Sequence, residues 1–328
     1  MRVVVWVPSP RGQRRIIAGM VIDWHAHHTA PEVVAKLREH GGREAKADPF
    51  DSPDFGKRVA EMDAAGIDLQ LVSQGAALNA DQLPAEAAMD VVRTSNDVMA
   101  ERVAPFAERL RGTIAVTYAD PDGSAAEIER LAGKGFGAVM MYARPDLVGQ
   151  PASEKLFAKA AERGLPVFLH GGGAAAPRRD PGLDQLEDGG QGVIVSVIAD
   201  SGVSEFAVRA IAAGVFDRHP SLRFVVRSSG GSLPTLLNKL WWKHKTDVGE
   251  RRYSEVLLEH FLVDCANGDA RTLAFLVDKM GENNVVFGSD YCGGLGPLDK
   301  AVKVVDDQAH PKRVRKMMDR NSRRLLGI

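Results

Sequence analysis

The chain has 328 residues, 45% of them hydrophobic and 26% charged, enough to bury a large core in one big domain or two ordinary ones. With 42 basic against 43 acidic residues the formal net charge is -1, which leaves no electrostatic footprint for nucleic acid or an anionic membrane and points to small-molecule chemistry. Only Cys265 and Cys292 occur, so no disulfide framework beyond one bridge is possible; no apolar stretch approaches bilayer-spanning length, and the cytoplasm is the expected compartment.

Residues 1–19 stand apart. The apolar run 3–7 is shorter than the core of a signal peptide, and Pro8, Pro10 and several arginines follow it with no small-residue cleavage pattern. Met20 directly precedes the first strand pattern, so residues 1–19 read as a flexible extension or a start-site overcall. The fold is expected over 20–328.

From Met20 onward, short apolar runs alternate with longer helical patterns, the signature of repeated β-α units around a parallel sheet. Strands are predicted at 21–25, 67–73, 112–118, 137–142, 166–170, 223–228, 261–265 and 285–289. Helices are predicted between them at 57–65, 85–104, 124–132, 153–163, 204–213, 233–243 and 269–279. Eight such units fit a single-domain (β/α)8 barrel, a TIM barrel. A doubly wound sheet is the alternative, but Gly133-Lys134-Gly135-Phe136-Gly137 precedes a strand instead of following one, so the dinucleotide fingerprint is missing.

The first strand leads through Asp23-Trp24-His25 into Ala26-His27-His28, and alternation puts His25 and His27 on one face; His28 points away if the strand persists and otherwise starts the loop. Two imidazoles on one inward face each bring a ring nitrogen that needs a partner, which favours shared metal ligation over packing. His170 ends the fifth strand and Asp290 follows the eighth, so all four groups project toward the carboxyl-end mouth where barrel active sites form. Three imidazoles and a carboxylate suit one divalent ion, Zn(II) first, with Mn(II) or Fe(II) as alternatives, and they leave a coordination position open for substrate.

Competing readings attach to several of these residues. His170 could cap the turn before Gly171-Gly172-Gly173, and Asp290 could cap the next helix, although Gly293, Gly294, Gly296 and Pro297 delay that helix. Asp23 either orients a ligand imidazole or fills a lower barrel layer. Cys265 and Cys292 read as small hydrophobes. The triple glycine lacks the lysine and hydroxyl residue of a phosphate loop. The long connection 171–202 reads as a lid or binding loop, from which Arg178 could reach in to bind a carboxylate substrate. Trp241 and Trp242, adjacent on one helix, cannot share a face, which leaves room for a homodimer or higher homo-oligomer.

The runs Ile22-Asp23-Trp24-His25-Ala26-His27, Met62-Asp63-Ala64-Ala65-Gly66-Ile67-Asp68, Leu165-Pro166-Val167-Phe168-Leu169-His170, Gly288-Ser289-Asp290-Tyr291 and Asn321-Ser322-Arg323-Arg324-Leu325-Leu326 together resemble the amidohydrolase superfamily. More narrowly, they resemble its branch containing aminocarboxymuconate-semialdehyde decarboxylase and the 2-hydroxybenzoate-type decarboxylases. The resemblance implies a histidine at the end of the sixth strand, ahead of Gly-Gly and proline, that moves a proton or activates metal-bound water. Here the run is Arg227-Ser228-Ser229-Gly230-Gly231-Ser232-Leu233-Pro234, and Ser228, which cannot titrate near neutrality, stands where that histidine is expected. Ser228 is accordingly read as a substrate contact. If it faces the mouth, simple alternation turns Arg227 outward, and the proton relay passes to another group such as His244.

Three functions follow. The first is a metal-dependent nonoxidative decarboxylase of a small aromatic or enoic acid, with Asp290 protonating the carbon that loses CO2. The second is a metal-dependent hydrolase of a C-N, C-O or C-C bond with Asp290 as base. The third is a noncatalytic binding protein on the same scaffold.

Overall fold

The computed structural model describes residues 19–42, 54–75, 80–171, 190–243, 245–246, 250–266, 268–293 and 296–328. Eight parallel strands run in sequence order from β1 to β8: β1 Ile22–His28, β2 Leu69–Gln74, β3 Leu110–Ala115, β4 Phe136–Tyr142, β5 Val167–His170, β6 Phe224–Val226, β7 Phe261–Asp264 and β8 Val285–Val286. The circle is completed where Trp24 N–H donates to Phe287 O at 2.9 Å and His27 N–H donates to Tyr291 O at 2.8 Å. The expected (β/α)8 barrel is therefore the observed one.

Around it lie α1 Pro31–Glu39, α2 Phe55–Ala65, α3 Ala85–Val103, α4 Pro121–Leu131, α5 Pro151–Glu162, α6 Gly190–Ala212, α7 Val215–Arg218, α8 Leu233–Lys243, α9 Tyr253–His260, α10 Ala270–Met280, α11 Leu298–Asp306 and α12 Pro311–Leu326. Their apolar stripes meet the outward-facing strand residues in one large core that includes Val139, Leu169 and Val226. A second, smaller cluster fills the barrel itself, with Trp24, Leu71, Met140, Phe168, Val225 and Leu262 among its members. The last helix is tied to the barrel floor by Asn321, whose fully buried amide donates to Val285 O at 2.8 Å.

Some boundaries differ from the sequence expectation for physical reasons. Helix α6 begins at Gly190 instead of 204 and runs through Gly202 to Ala212, with Val203, Phe206, Ala207 and Ala210 packed in the core. The connection after β5 is correspondingly shorter than 171–202, and its remainder, with Arg178, lies outside the described residues. So do residues 1–18 and His244. Trp241 and Trp242 are 40% and 71% exposed and meet edge to face, with the Arg252 guanidinium over the Trp241 ring. Among the described residues no helix is long and apolar enough to cross a membrane.

Candidate metal centre

Strand β1 does not alternate evenly. Ile22 pairs with Leu69 and Asp23 with Gln70, but the next pairings are Ala26 with Val72 and His27 with Ser73, so two residues, Trp24 and His25, stand opposite Leu71 alone. This bulge shifts the phase by one residue. Ile22 and Trp24 fill the barrel below it, and His25 and His27 face the mouth above it. Asp23 is thereby turned outward, so neither of its two expected roles holds. It is fully buried and accepts from His25 N–H, Gln70 Nε2 and both the backbone and hydroxyl of Ser289, joining β1 to β2 and to the segment after β8. Gln70 in turn accepts from the buried Arg58 guanidinium of α2, which also donates to His27 O and lies over the Tyr291 ring.

The expected alternation of His25 and His27 above the bulge is observed, and both rings approach His170 from β5. Each of these three buried imidazoles offers a nitrogen, and the three nitrogens lie within 4.8 Å of one another. The opposite nitrogen of each ring is already engaged. His25 Nδ1 is 2.7 Å from Asp264 Oδ2, which can only accept, so Nδ1 carries the hydrogen. The Ser73 hydroxyl donates to Ala26 O at 3.1 Å, which leaves its oxygen to accept from His27 Nδ1 at 2.8 Å. His170 Nδ1 donates to Gly171 O at 2.7 Å. In all three rings, therefore, Nε2 is the nitrogen that faces the centre, the arrangement that second partners impose on metal-binding histidines. His170 Nε2 is buried without a hydrogen-bond partner among the described residues, an orphaned acceptor that a cation would satisfy.

Asp290 completes the group from the segment after β8. Its Oδ1 lies 3.1 Å from Nε2 of both His25 and His27. Its backbone is left-handed at φ 53°, and Asp290 N–H donates to His25 O at 2.7 Å, which fixes the carboxylate against β1. The turn that holds it requires a glycine: a Cβ at Gly293 would sit 1.9 Å from Asp290 Oδ1. The helix-cap alternative does not apply, because α11 begins only at Leu298.

Electrostatics of the cluster follow from burial and these carboxylates. Burial and nearby positive charge hold His27 and His170 below their ordinary value, so both are neutral and their lone pairs are free. Burial alone would lower His25 as well, but Asp290 and Asp264 flank it and push it up to about 10. Burial would raise Asp290, yet cationic His25, which faces it at 3.1 Å, holds its carboxyl well below the usual range. A divalent cation would take the place of the His25 proton.

Beyond the ligand types, β4, β5 and β6 place three residues in one row. Tyr142 pairs with His170, and Leu169 pairs with Val226, which brings Arg227 into step with His170. Residues in step on adjacent parallel strands face the same way, so Arg227 turns toward the mouth, opposite to the sequence expectation. The reason is that β6 ends at Val226, and alternation counted back from Ser228 crosses the end of the strand. Ser228 itself is buried with φ 52° in the turn that follows. Cys265 is buried and pushed up to about 12 by desolvation, consistent with a packing role.

Sequence reasoning missed Asp264 and Ser73, and it turned Arg227 outward. Asp264 carried a signal that could have been used: a carboxylate ending an otherwise apolar buried strand, as His170 does. Ser73 carried none, being one small polar residue at a strand end.

A family model described as Amidohydrolase matches residues 22–328. Gamma-resorcylate decarboxylase of Rhodococcus jostii is 27% identical over 259 residues, covering 71% of this chain and 76% of that protein. The crystal structure of 5-carboxyvanillate decarboxylase from Sphingomonas paucimobilis superposes with a TM-score of 0.79 at 25% identity, covering 95% of this chain and all of that one. A dihydroxybenzoic acid decarboxylase from Polaromonas, solved with manganese and the inhibitor 2-nitroresorcinol, superposes with a TM-score of 0.73 at 20% identity over 94% of this chain and 97% of that one.

Proposed function

The chain belongs to the amidohydrolase family, in the branch related to 2-hydroxybenzoate-type decarboxylases, and from that premise we propose that it is a metal-dependent nonoxidative decarboxylase of a small aromatic or enoic carboxylic acid. The observation that carries this reading is the convergence of three imidazole Nε2 atoms and the Asp290 carboxylate at the carboxyl end of the barrel. His25, His27, His170 and Asp290 would hold one divalent cation. The donor set suits Zn(II), with Mn(II), present in the Polaromonas protein, as the second candidate and Fe(II) as the third. Such an ion, when bound, would gather the substrate carboxylate and a neighbouring hydroxyl and draw electron density from them.

The chain's own groups do the rest. Asp264, Ser73 and the Gly171 carbonyl hold the three imidazoles as neutral Nε2 donors. Asp290 would take a proton from water and deliver it to the carbon that loses CO2, where it meets the electron pair left as the bond to the departing CO2 breaks. Ser228, buried just past β6, is the proposed substrate contact at the position where the resemblance implies a histidine. Ser228→Ala should be mild if the serine only fills space and severe if its hydroxyl orients the reacting group. The decarboxylase name of the Rhodococcus relative favours carbon-carbon cleavage over hydrolysis. A cytoplasmic site of action belongs to the same proposal.

The test is release of CO2 from 2-hydroxybenzoate, 2,6-dihydroxybenzoate and an enoic acid by zinc- and manganese-loaded protein. Hydrolysis of esters or amides without CO2 from any acid would replace this reading with the hydrolase. No turnover of either kind by metal-loaded protein would leave a binding protein.

A further inference from the structure

The row formed by Tyr142, His170 and Arg227 holds more polar capacity than the metal centre uses. Arg227 is only 14% exposed at its side chain, its Nη2 is 3.1 Å from Asp200 Oδ1 of α6, and its Nε is buried without a partner among the described residues. On the other flank of His170 the Tyr142 ring lies 5.6 Å from the imidazole, centroid to centroid, and the phenol is likewise buried without a partner among the described residues. Leaving such donors unpaired in a folded interior is costly, and sites built to bind a ligand are where it occurs. Both unpaired groups are N–H or O–H donors, and one belongs to a permanent cation, so the complementary ligand group is an anionic oxygen.

We infer that Arg227 and Tyr142 form an acid-recognition subsite on either side of His170, which selects substrates carrying a carboxylate or phenolate oxygen over their neutral esters. The subsite rests on the proposed decarboxylase reading for its substrate class, and on register and unpaired donors for its place. Two roles follow from the geometry. The guanidinium, held at one corner by Asp200, presents its remaining edge to the oxygen and fixes the acid's direction relative to Asp290. An ester lacks the charge and leaves a buried cation unsatisfied, which is a strong basis for rejection. Arg227 selects and orients substrate, and proton transfer is left to another group.

The test is isothermal titration of 2-hydroxybenzoate and of its methyl ester into zinc-loaded wild type, Arg227→Gln and Tyr142→Phe, with metal content measured on the same samples. The acid should bind wild type well and the ester poorly. Arg227→Gln should weaken the acid by about tenfold or more, as expected for loss of a charged hydrogen bond, without moving metal content or ester binding. Tyr142→Phe, which removes only a hydroxyl, should weaken the acid by about threefold to tenfold. Unchanged acid affinity in Arg227→Gln overturns the subsite, as does failure of wild type to prefer acid over ester. If Arg227→Gln does not fold, unchanged affinity in Tyr142→Phe overturns it. Arg227-dependent acid binding without CO2 release would keep the subsite and remove the decarboxylase reading.

Discussion

Asp264 Oδ2 lies 2.7 Å from Nδ1 of His25, so a carboxylate on β7 decides which nitrogen of a β1 histidine faces the barrel mouth. Asp264 is fully buried, and its other oxygen accepts from Ala266 N–H at 3.0 Å, which leaves it no freedom to swing away. Asp264→Asn keeps the size but loses the charge that holds the tautomer. Metal affinity, read by competition with a chelator, should fall by about 10- to 100-fold, the scale found for such supporting carboxylates. An unchanged affinity would mean that His25 is oriented by packing alone.

Purified protein should carry one divalent ion per chain, and reconstitution after chelation should restore it. His27→Ala should lower occupancy far more than His28→Ala. His28 faces away from the centre, against the Phe55 ring and the Arg102 guanidinium. Elemental analysis of folded protein checks both, and equal loss in the two variants would show that the two histidines do not differ in phase.

Asp290→Asn retains an oxygen but removes the basic carboxylate. Turnover should fall by about a hundredfold or more while the melting temperature stays near that of wild type. Gly293→Ala should reproduce much of that loss with Asp290 intact, because the added carbon would collide with Asp290 Oδ1 and push the carboxylate off its position. Near-normal turnover in Gly293→Ala would show that the turn tolerates the methyl group.

Stability on the acid side should depend on Glu127 of α4. Burial would raise its carboxyl, but hydrogen bonds from Arg130 and Asn96 hold it below its ordinary value. A depressed folded-state value means that its contribution is fully present above the unfolded value of about 4.3 and is lost as pH falls through the folded one. Glu127→Gln should therefore cost about 1–2 kcal/mol at pH 7, with the difference from wild type shrinking below about pH 4. Denaturant melts across that range check the sign, and a constant difference would assign the effect to shape instead of charge.

The barrel was legible because strand and helix periods alternate in the chain and nearly every strand ends in a recognisable apolar run. His25, His27 and His170 were legible because a histidine at the end of a buried strand has few other uses. Asp23 was misjudged because a bulge leaves no mark on a pattern of period two: Trp24 looks like any large residue between two polar ones. Arg227 was misjudged because alternation was counted from Ser228, beyond the strand, when Val225 inside it sets the phase. Asp264 was passed over because an aspartate before a loop reads as turn chemistry until the opposite strand is in view. Such errors concern relations between strands, which a single chain pattern does not encode.

The bulge in β1 also governs how this motif can be moved or altered. Below Trp24 the strand belongs to the packing of the barrel; above it the strand belongs to the ligand layer, and one additional residue separates the two registers. Grafting the His-x-His pair onto a regularly pleated strand of another barrel, with this strand's lower half retained, would fit Ile22 and Trp24 inside and turn both imidazoles out toward the helices. A transplant has to carry the irregularity together with the histidines. Conversely, loss of a single residue between Asp23 and His25 would alter the strand's phase without removing any ligand from the chain. Length at this point is as much a determinant of the site as the identity of the residues that form it.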